Sequence, residues 1–186
     1  MDRFNTELGG NWFELFVASK IKSKFPEGSV LHDLKVHSRY LSLTKNHDYT
    51  TQIDLVTVLP CKIYVIEAKK WGYEIIGNRD DMKWTGKSNS KTFIENVSPI
   101  AQNMNHLRAL RNLLRVNNYK LPEFESIVCV PDDTNIVSDC KEVMGVSQML
   151  YKMDLDLLSS EKTNSSSVNV KYWTDAIAEV VKDQHF

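Results

Sequence analysis

Two acids and a lysine interrupt the most apolar stretch of this chain. In TQIDLVTVLPCKIYVIEAKKWG, residues 51–72, Asp54, Glu67 and Lys69 stand among runs of Ile, Val, Leu and Tyr. Strand side chains alternate between faces, so Cys61, Ile63, Val65, Glu67 and Lys69 share one face and Lys62, Tyr64, Ile66 and Ala68 the other. If 50–59 and 62–69 form a hairpin turning at Pro60-Cys61, paired positions sum to 121, Leu59 faces Lys62, Thr57 faces Tyr64, and Asp54 faces Glu67. Like charges directly opposed destabilise a sheet. Two compensations are open: one carboxyl holds a raised pKa and shares a proton, or a divalent cation lies between them, since hard oxygen ligands suit Mg²⁺ and Mn²⁺. Lys69, on the same face, favours ionised carboxylates and fits the second. The plain alternative is a solvated edge strand, against which Val56, Val58, Ile63 and Val65 share that face.

A third acid heads an apolar helical stripe. In NWFELFVASKIKSKF, residues 11–25, Val17, Ala18, Ile21 and Phe25 follow helical spacing and Glu14 lies on their side of the helix. A glutamate there is costly without a partner; as a first-turn acid it would instead answer the helix dipole. Farther along, Arg108, Arg111 and Arg115 share one side of a helix and offer themselves to phosphates. Arg111 falls among Ile100, Met104 and Leu107, so pairing with a buried acid is its other reading. Trp71, Tyr73 and Trp84 are near enough in sequence to stack on bases, with core packing as the alternative for at least two of them.

The elements that must position these residues follow from periodicity and punctuation. The 11–25 helix is ended by Pro26 and Gly28. Residues 29–36, 39–44, 50–59 and 62–69 are strand-like, with shorter candidates at 73–76 and 81–85. Residues 86–96 form a polar loop, Ser98-Pro99 opens a helix to about 116, and 125–131 is a buried strand. Helices are expected at 147–158 and at 174–183, the latter capped by Thr174, with SSEKTNSSS, 159–167, as a surface loop between them. That order predicts an α/β fold, a central mixed β-sheet flanked by helices.

The 186 residues, 42% hydrophobic, suit a single domain over 1–186 able to bury a core without staples. Three cysteines without CxxC spacing read as free thiols in a reducing compartment. MDRFNTELGG has no apolar signal core, and no segment approaches the roughly 18 apolar residues of a membrane span. A cytoplasmic protein with no membrane association is expected. Net charge is −1, yet residues 96–122 carry Arg108, Arg111, Arg115 and Lys120 with no acid, whereas 123–161 carry nine acids against Lys141 and Lys152. One basic side can therefore coexist with near-neutrality; an ordinary solvated helix face is the alternative.

The ordered set of motifs resembles the PD-(D/E)xK nuclease superfamily: an acid on one strand, E-x-K on the next, after a helix bearing Glu. More narrowly, IDLVTVLPCKIYVIEAKKWGYEIIG followed by Trp84, and SPIAQNMNHLRALRNLL with its Pro, Gln, His and Leu, resemble the nuclease-related domain (NERD) over about residues 10–130. Residues 131–186 would be a helical and strand extension. The resemblance implies a restriction-endonuclease-like core, with Asp54 and Glu67 as metal-binding acids, Glu14 as the helix acid beside them, Lys69 as the lysine that positions or activates water, and Gln102 as the later-helix glutamine. It implies a metal-dependent nuclease using Mg²⁺ or Mn²⁺, with DNA as substrate and RNA less favoured. Trp71, Arg108 and Arg115, read from their own types and spacing, and Gln102 are the expected nucleic-acid contacts. The chain departs from the family in Ile53, where the superfamily name has Pro, and in Pro60-Cys61-Lys62, which lacks the common Gly.

A catalytically silent nucleic-acid- or protein-binding module on the same fold is the rival, and a scaffold whose acids pair with Lys69 and Arg111 is a third. No helicase, kinase or DNA-reading module accompanies the site, so the chain acts alone, as a homo-oligomer, or with a separately encoded partner. Gly86-Lys87-Ser88 is no P-loop, because Asp81 stands where the first Gly belongs. His32, His37, His47, His106 and His185 lack zinc spacing and read as surface or satisfied residues.

Overall fold

The computed structural model describes residues 3–37, 50–87, 93–163 and 168–184. A helix, α1 (Arg3–Lys24), is followed by β1 (Ser29–His37), β2 (Thr50–Val58) and β3 (Ile63–Ala68). Next come β4 (Glu74–Ile76), β5 (Lys83–Lys87), β6 (Phe93–Val97) and the helix α2 (Pro99–Val116). The chain continues through β7 (Phe124–Val130), β8 (Asn135–Val137), β9 (Val143–Gly145), α3 (Val146–Thr163) and α4 (Val170–Lys182). One sheet has the order β1-β2-β3-β7-β9 and the other β6-β5-β4-β8. In the first, β1, β2 and β3 run antiparallel, and β7 and β9 add in parallel to β3, so the sheet is mixed as expected.

Both faces of the larger sheet are covered, which is why β3 is buried along its whole length and reads as a continuous apolar run. Leu55, Tyr64, Ile66 and Ala68 pack against Val17 and Ile21 of α1, Phe25 just after it, and Met149 and Met153 of α3. On the other side, Val56, Val58, Ile63 and Val65 meet Leu107, Leu110 and Leu114 of α2 and Trp173 and Ile177 of α4. A third cluster, with Ile75, Trp84, Ile100, Val128 and Val143, joins the two sheets. The predicted hairpin register holds, without a Gly in the turn: Leu55 faces Ile66, Thr57 faces Tyr64 and Leu59 N–H donates to Lys62 O.

Several expectations are corrected. α1 begins at Arg3 and passes through Gly9-Gly10, since two glycines cost a helix only about 1 kcal/mol each against Ala. Glu14 is therefore mid-helix, and the first-turn dipole reading falls away. The 86–96 segment is no simple loop: Lys83 to Lys87 and Phe93 to Val97 are paired strands. α3 runs to Thr163, taking up the first part of the predicted 159–167 loop. α4 starts at Val170, capped by Asn169, whose side chain accepts from Tyr172 N–H at 2.9 Å; Thr174 instead donates back to Val170 O. β8 and β9, three residues each, are too short to leave a periodic signal. The expected strand at 39–44 lies outside the described residues.

Candidate active site

The hairpin register, continued one pair beyond Leu55 and Ile66, sets Asp54 opposite Glu67. Asp54 Oδ2 accepts from Ala68 N–H at 2.9 Å, which fixes the carboxyl at the C-terminal end of β3. Lys69 N–H donates to Cys129 O at 2.8 Å, so β7 anchors that same end. Glu67 is fully buried. Its Oε1 is in ion-pair contact with Lys69 Nζ, and its Oε2 lies 3.0 Å from His106 Nδ1. Neither oxygen has a partner in hydrogen-bond geometry among the described residues. The two contacts are close in distance, yet neither meets hydrogen-bond geometry.

Burial pushes Asp54 up to about 7; the charge of Glu67 adds to the rise, and the Ala68 N–H and Lys69 oppose it. Glu14 is also raised, first by burial and then by Glu67, with Lys69 pulling the other way. The three acids thus feel one another across β2, β3 and α1. Asp33 and His32 of β1 act on Glu14 as well, Asp33 raising and His32 lowering it. The β1–β2 register leaves Asp33 beside Asp54, with left-handed backbone at φ 55°. Asp tolerates that conformation, but nothing in the sequence signals it.

The donor set fits a hard divalent cation in chemistry: oxygen ligands, two unsatisfied lone-pair-bearing oxygens on a buried acid, and an adjacent carboxyl whose proton would leave readily at neutral pH. Among the described residues, no three His, Cys, Asp or Glu side chains close into a metal cage. Any such ion would therefore keep part of its shell as water or substrate oxygen, which is the habit of Mg²⁺.

The other expected residues are distributed unevenly. Gln102 is half-buried, one helical turn before His106 on the same side of α2. Arg108 and Arg115 are exposed on α2. Arg111 is half-buried, and no ion pair of Arg111 occurs among the described residues, so the alternative reading of it, pairing with a buried acid, finds no partner there. Trp84 is core and donates its indole N–H to Asn78 O at 3.0 Å. Trp71 is half-buried against the third cluster and Tyr73 is exposed. A Cβ on Gly86 would lie 2.7 Å from Trp71 Cβ, so the Gly of the false P-loop serves packing. Lys70 Nζ stands 5.7 Å from the ring centroid of Trp12, an exposed residue of α1. The three cysteines are free and buried. No helix among the described residues is long and apolar enough to cross a membrane.

His106 is the residue that sequence reasoning missed. It is 3% exposed, neither on the surface nor satisfied, and it touches the buried acid. Its signal was its position four residues after Gln102 in SPIAQNMNHL, on the same helix side.

No curated protein and no solved structure matches the chain. The family model described as nuclease-related domain (NERD) matches residues 9–131, from α1 to the end of β7. That span takes in Glu14, Asp54, Glu67, Lys69, Gln102 and His106, and is more than half of the 186 residues. By that match, and with its acids and lysine gathered at the end of β3, the chain belongs to the nuclease-related domain family.

Proposed function

We propose that this protein is a metal-dependent nuclease that hydrolyses DNA phosphodiester bonds. The observation that carries the reading is Glu67, a buried acid whose two oxygens lack hydrogen-bonding partners, facing an Asp54 pushed up to about 7. Such a pair is costly until a cation joins it. Asp54 and Glu67, with Glu14 from α1, would hold Mg²⁺ or Mn²⁺. When bound, the ion supplies Lewis-acid chemistry, acidifying water and offsetting phosphate charge. Lys69 Nζ, at the edge of the pair, orients the attacking water or meets the negative charge that develops on the phosphate. Arg108 and Arg115 grip flanking phosphates, with Gln102 and Trp71 nearer the centre. RNA is a less favoured substrate, a homo-oligomer or a separately encoded partner completes the active form if the chain does not act alone, and the protein works in the cytoplasm.

The test is cleavage of single-stranded, duplex and branched DNA with Mg²⁺ or Mn²⁺. We expect Glu67→Ala to abolish activity and Lys69→Ala to lower kcat about 10²–10³-fold, as loss of one preorganised charge-stabilising donor does. Wild-type rates in both folded variants would sink the assignment.

One observation favours a second reading, a silent nucleic-acid- or protein-binding module: Lys69 and His106 already flank Glu67, and no three-ligand cage forms among the described residues. A rise of Tm with millimolar Mn²⁺ separates the two, because only a site that binds the ion gains stability from it.

A further inference from the structure

α2 is locked to β3 at a single buried side chain. Asn103 Nδ2 lies 2.9 Å from Val65 O, 2.9 Å from Ile127 O and 2.8 Å from Ser126 Oγ, so one amide ties the helix to both central parallel strands. From that tie, three residues along the helix rise about 4.5 Å, and two residues along β3 advance about 6.6 Å on the same face. These steps lead from Asn103 to His106 and from Val65 to Glu67, which is how an imidazole on α2 reaches a carboxylate on β3. The meeting is between a side chain 3% exposed and one with no exposure.

We propose that His106 is a positioning residue for Glu67, an inference that rests on the nuclease reading above. Its Nδ1–H is directed at Oε2 and would stop the carboxylate from pivoting, leaving Oε1, the oxygen beside Lys69, as the one to meet a cation. Lys69 Nζ contacts Oε1, and the His106 contact at 3.0 Å is outside hydrogen-bond geometry. A cation held by Asp54 and Glu67 would compete with Lys69 for Oε1, which would leave Lys69 for water or phosphate and His106 as the contact that holds Oε2. Apo-state contacts of this kind commonly tighten only in the loaded site. The neutral Nδ1–H tautomer and the imidazolium both present this donor, so the role does not depend on titration.

The test measures binding of Mn²⁺ alone to the purified full chain, by the loss of the free-ion electron paramagnetic resonance signal, with no DNA and no turnover. His106→Leu keeps the buried volume and removes the donor, and we expect it to weaken Mn²⁺ affinity about 10–100-fold, the usual effect of losing an outer-shell partner. His106→Asn, whose amide nitrogen sits where Nδ1 does, should bind close to wild type, and His106→Gln, whose amide reaches the Nε2 position, should not. The Asn and Gln contrast stands even if the Leu variant does not fold. Equal affinity in wild type, Leu and Gln variants overturns the proposal while leaving the nuclease reading intact. So does equal loss in Asn and Gln, which would assign the effect to ring packing. If wild type takes up no Mn²⁺, the nuclease reading fails and the positioning role with it.

Discussion

At the scale of single residues, Asp54 is the group whose chemistry is most sharply set by its surroundings. Its carboxyl titrates near 7 in the folded protein against an ordinary value of 3.8, chiefly through burial and then through Glu67. Between those values the folded state holds a proton that the unfolded state has released, so stability falls as pH rises. Asp54 thus contributes stability that is fully present below about 4 and is lost as pH climbs through about 7. Metal-free urea melts of wild type and Asp54→Asn at pH values across that window should differ in slope, the variant lacking Asp54's share of the decline. Parallel curves would mean that Asp54 is solvated and ordinary. Ion binding runs the other way, strengthening with pH because the ligand must be deprotonated.

At the scale of elements, the site depends on how α2 is seated. The helix begins cleanly, with Ser98 Oγ accepting from Ala101 N–H at 3.3 Å and Pro99 in the first turn. Its apolar face, Leu107, Leu110 and Leu114, packs on Val56, Val58 and Val65. Packing of this kind tolerates small slips, whereas the Asn103 amide fixes one register by bonding buried groups of β3 and β7. Asn103→Ala should destabilise the fold by about 1–3 kcal/mol, the cost of leaving buried acceptors without a partner. Because it also loosens His106 over Glu67, the same variant should lose Mn²⁺ affinity. Urea melts and metal titration on one sample test both halves, and an Ala variant as stable as wild type would show that packing alone seats the helix.

At the scale of the whole molecule, a net charge of −1 conceals a division of labour. Much of the acidic 123–161 segment is tied up far from the site: Lys62 reaches Glu123, Glu125 and Asp156 at 3.1, 3.2 and 3.5 Å, and Lys152 reaches Glu125 and Asp156 at 2.7 and 3.0 Å. That network sits at the start of β3 and the candidate site at its end, five residues or about 17 Å along the strand. Arg108 and Arg115 are left exposed on α2, able to meet a polyanion. Binding of a labelled oligonucleotide in EDTA should weaken with salt, and Arg108→Ala and Arg115→Ala should each reduce the slope of log K against log salt by about 1. Slopes unchanged in both would remove these arginines from the interface.

The amino-acid sequence by itself determined the hairpin and what it juxtaposes. Strand alternation and a two-residue turn fix which residues share a face, so Asp54, Glu67 and Lys69 were legible as a group, and Glu14 followed from helical spacing. Such patterns are local, with periods of 2 and 3.6 residues, and they survive without knowledge of the rest of the chain. Only the tertiary structure decided that His106 meets Glu67. His106 is 39 positions away, and no pattern shorter than that separation links the two residues. Their contact depends on the parallel pairing of β3 with β7 and on Asn103 seating α2 across both. Arg111 shows the same limit from the other side. Its place among Met104 and Leu107 was readable, but which group it meets depends on what the fold brings near it, and no ion pair forms there among the described residues. Face and spacing are written along the chain; which faces meet is settled by long-range packing, because burial energy belongs to the assembled layers and not to any one segment.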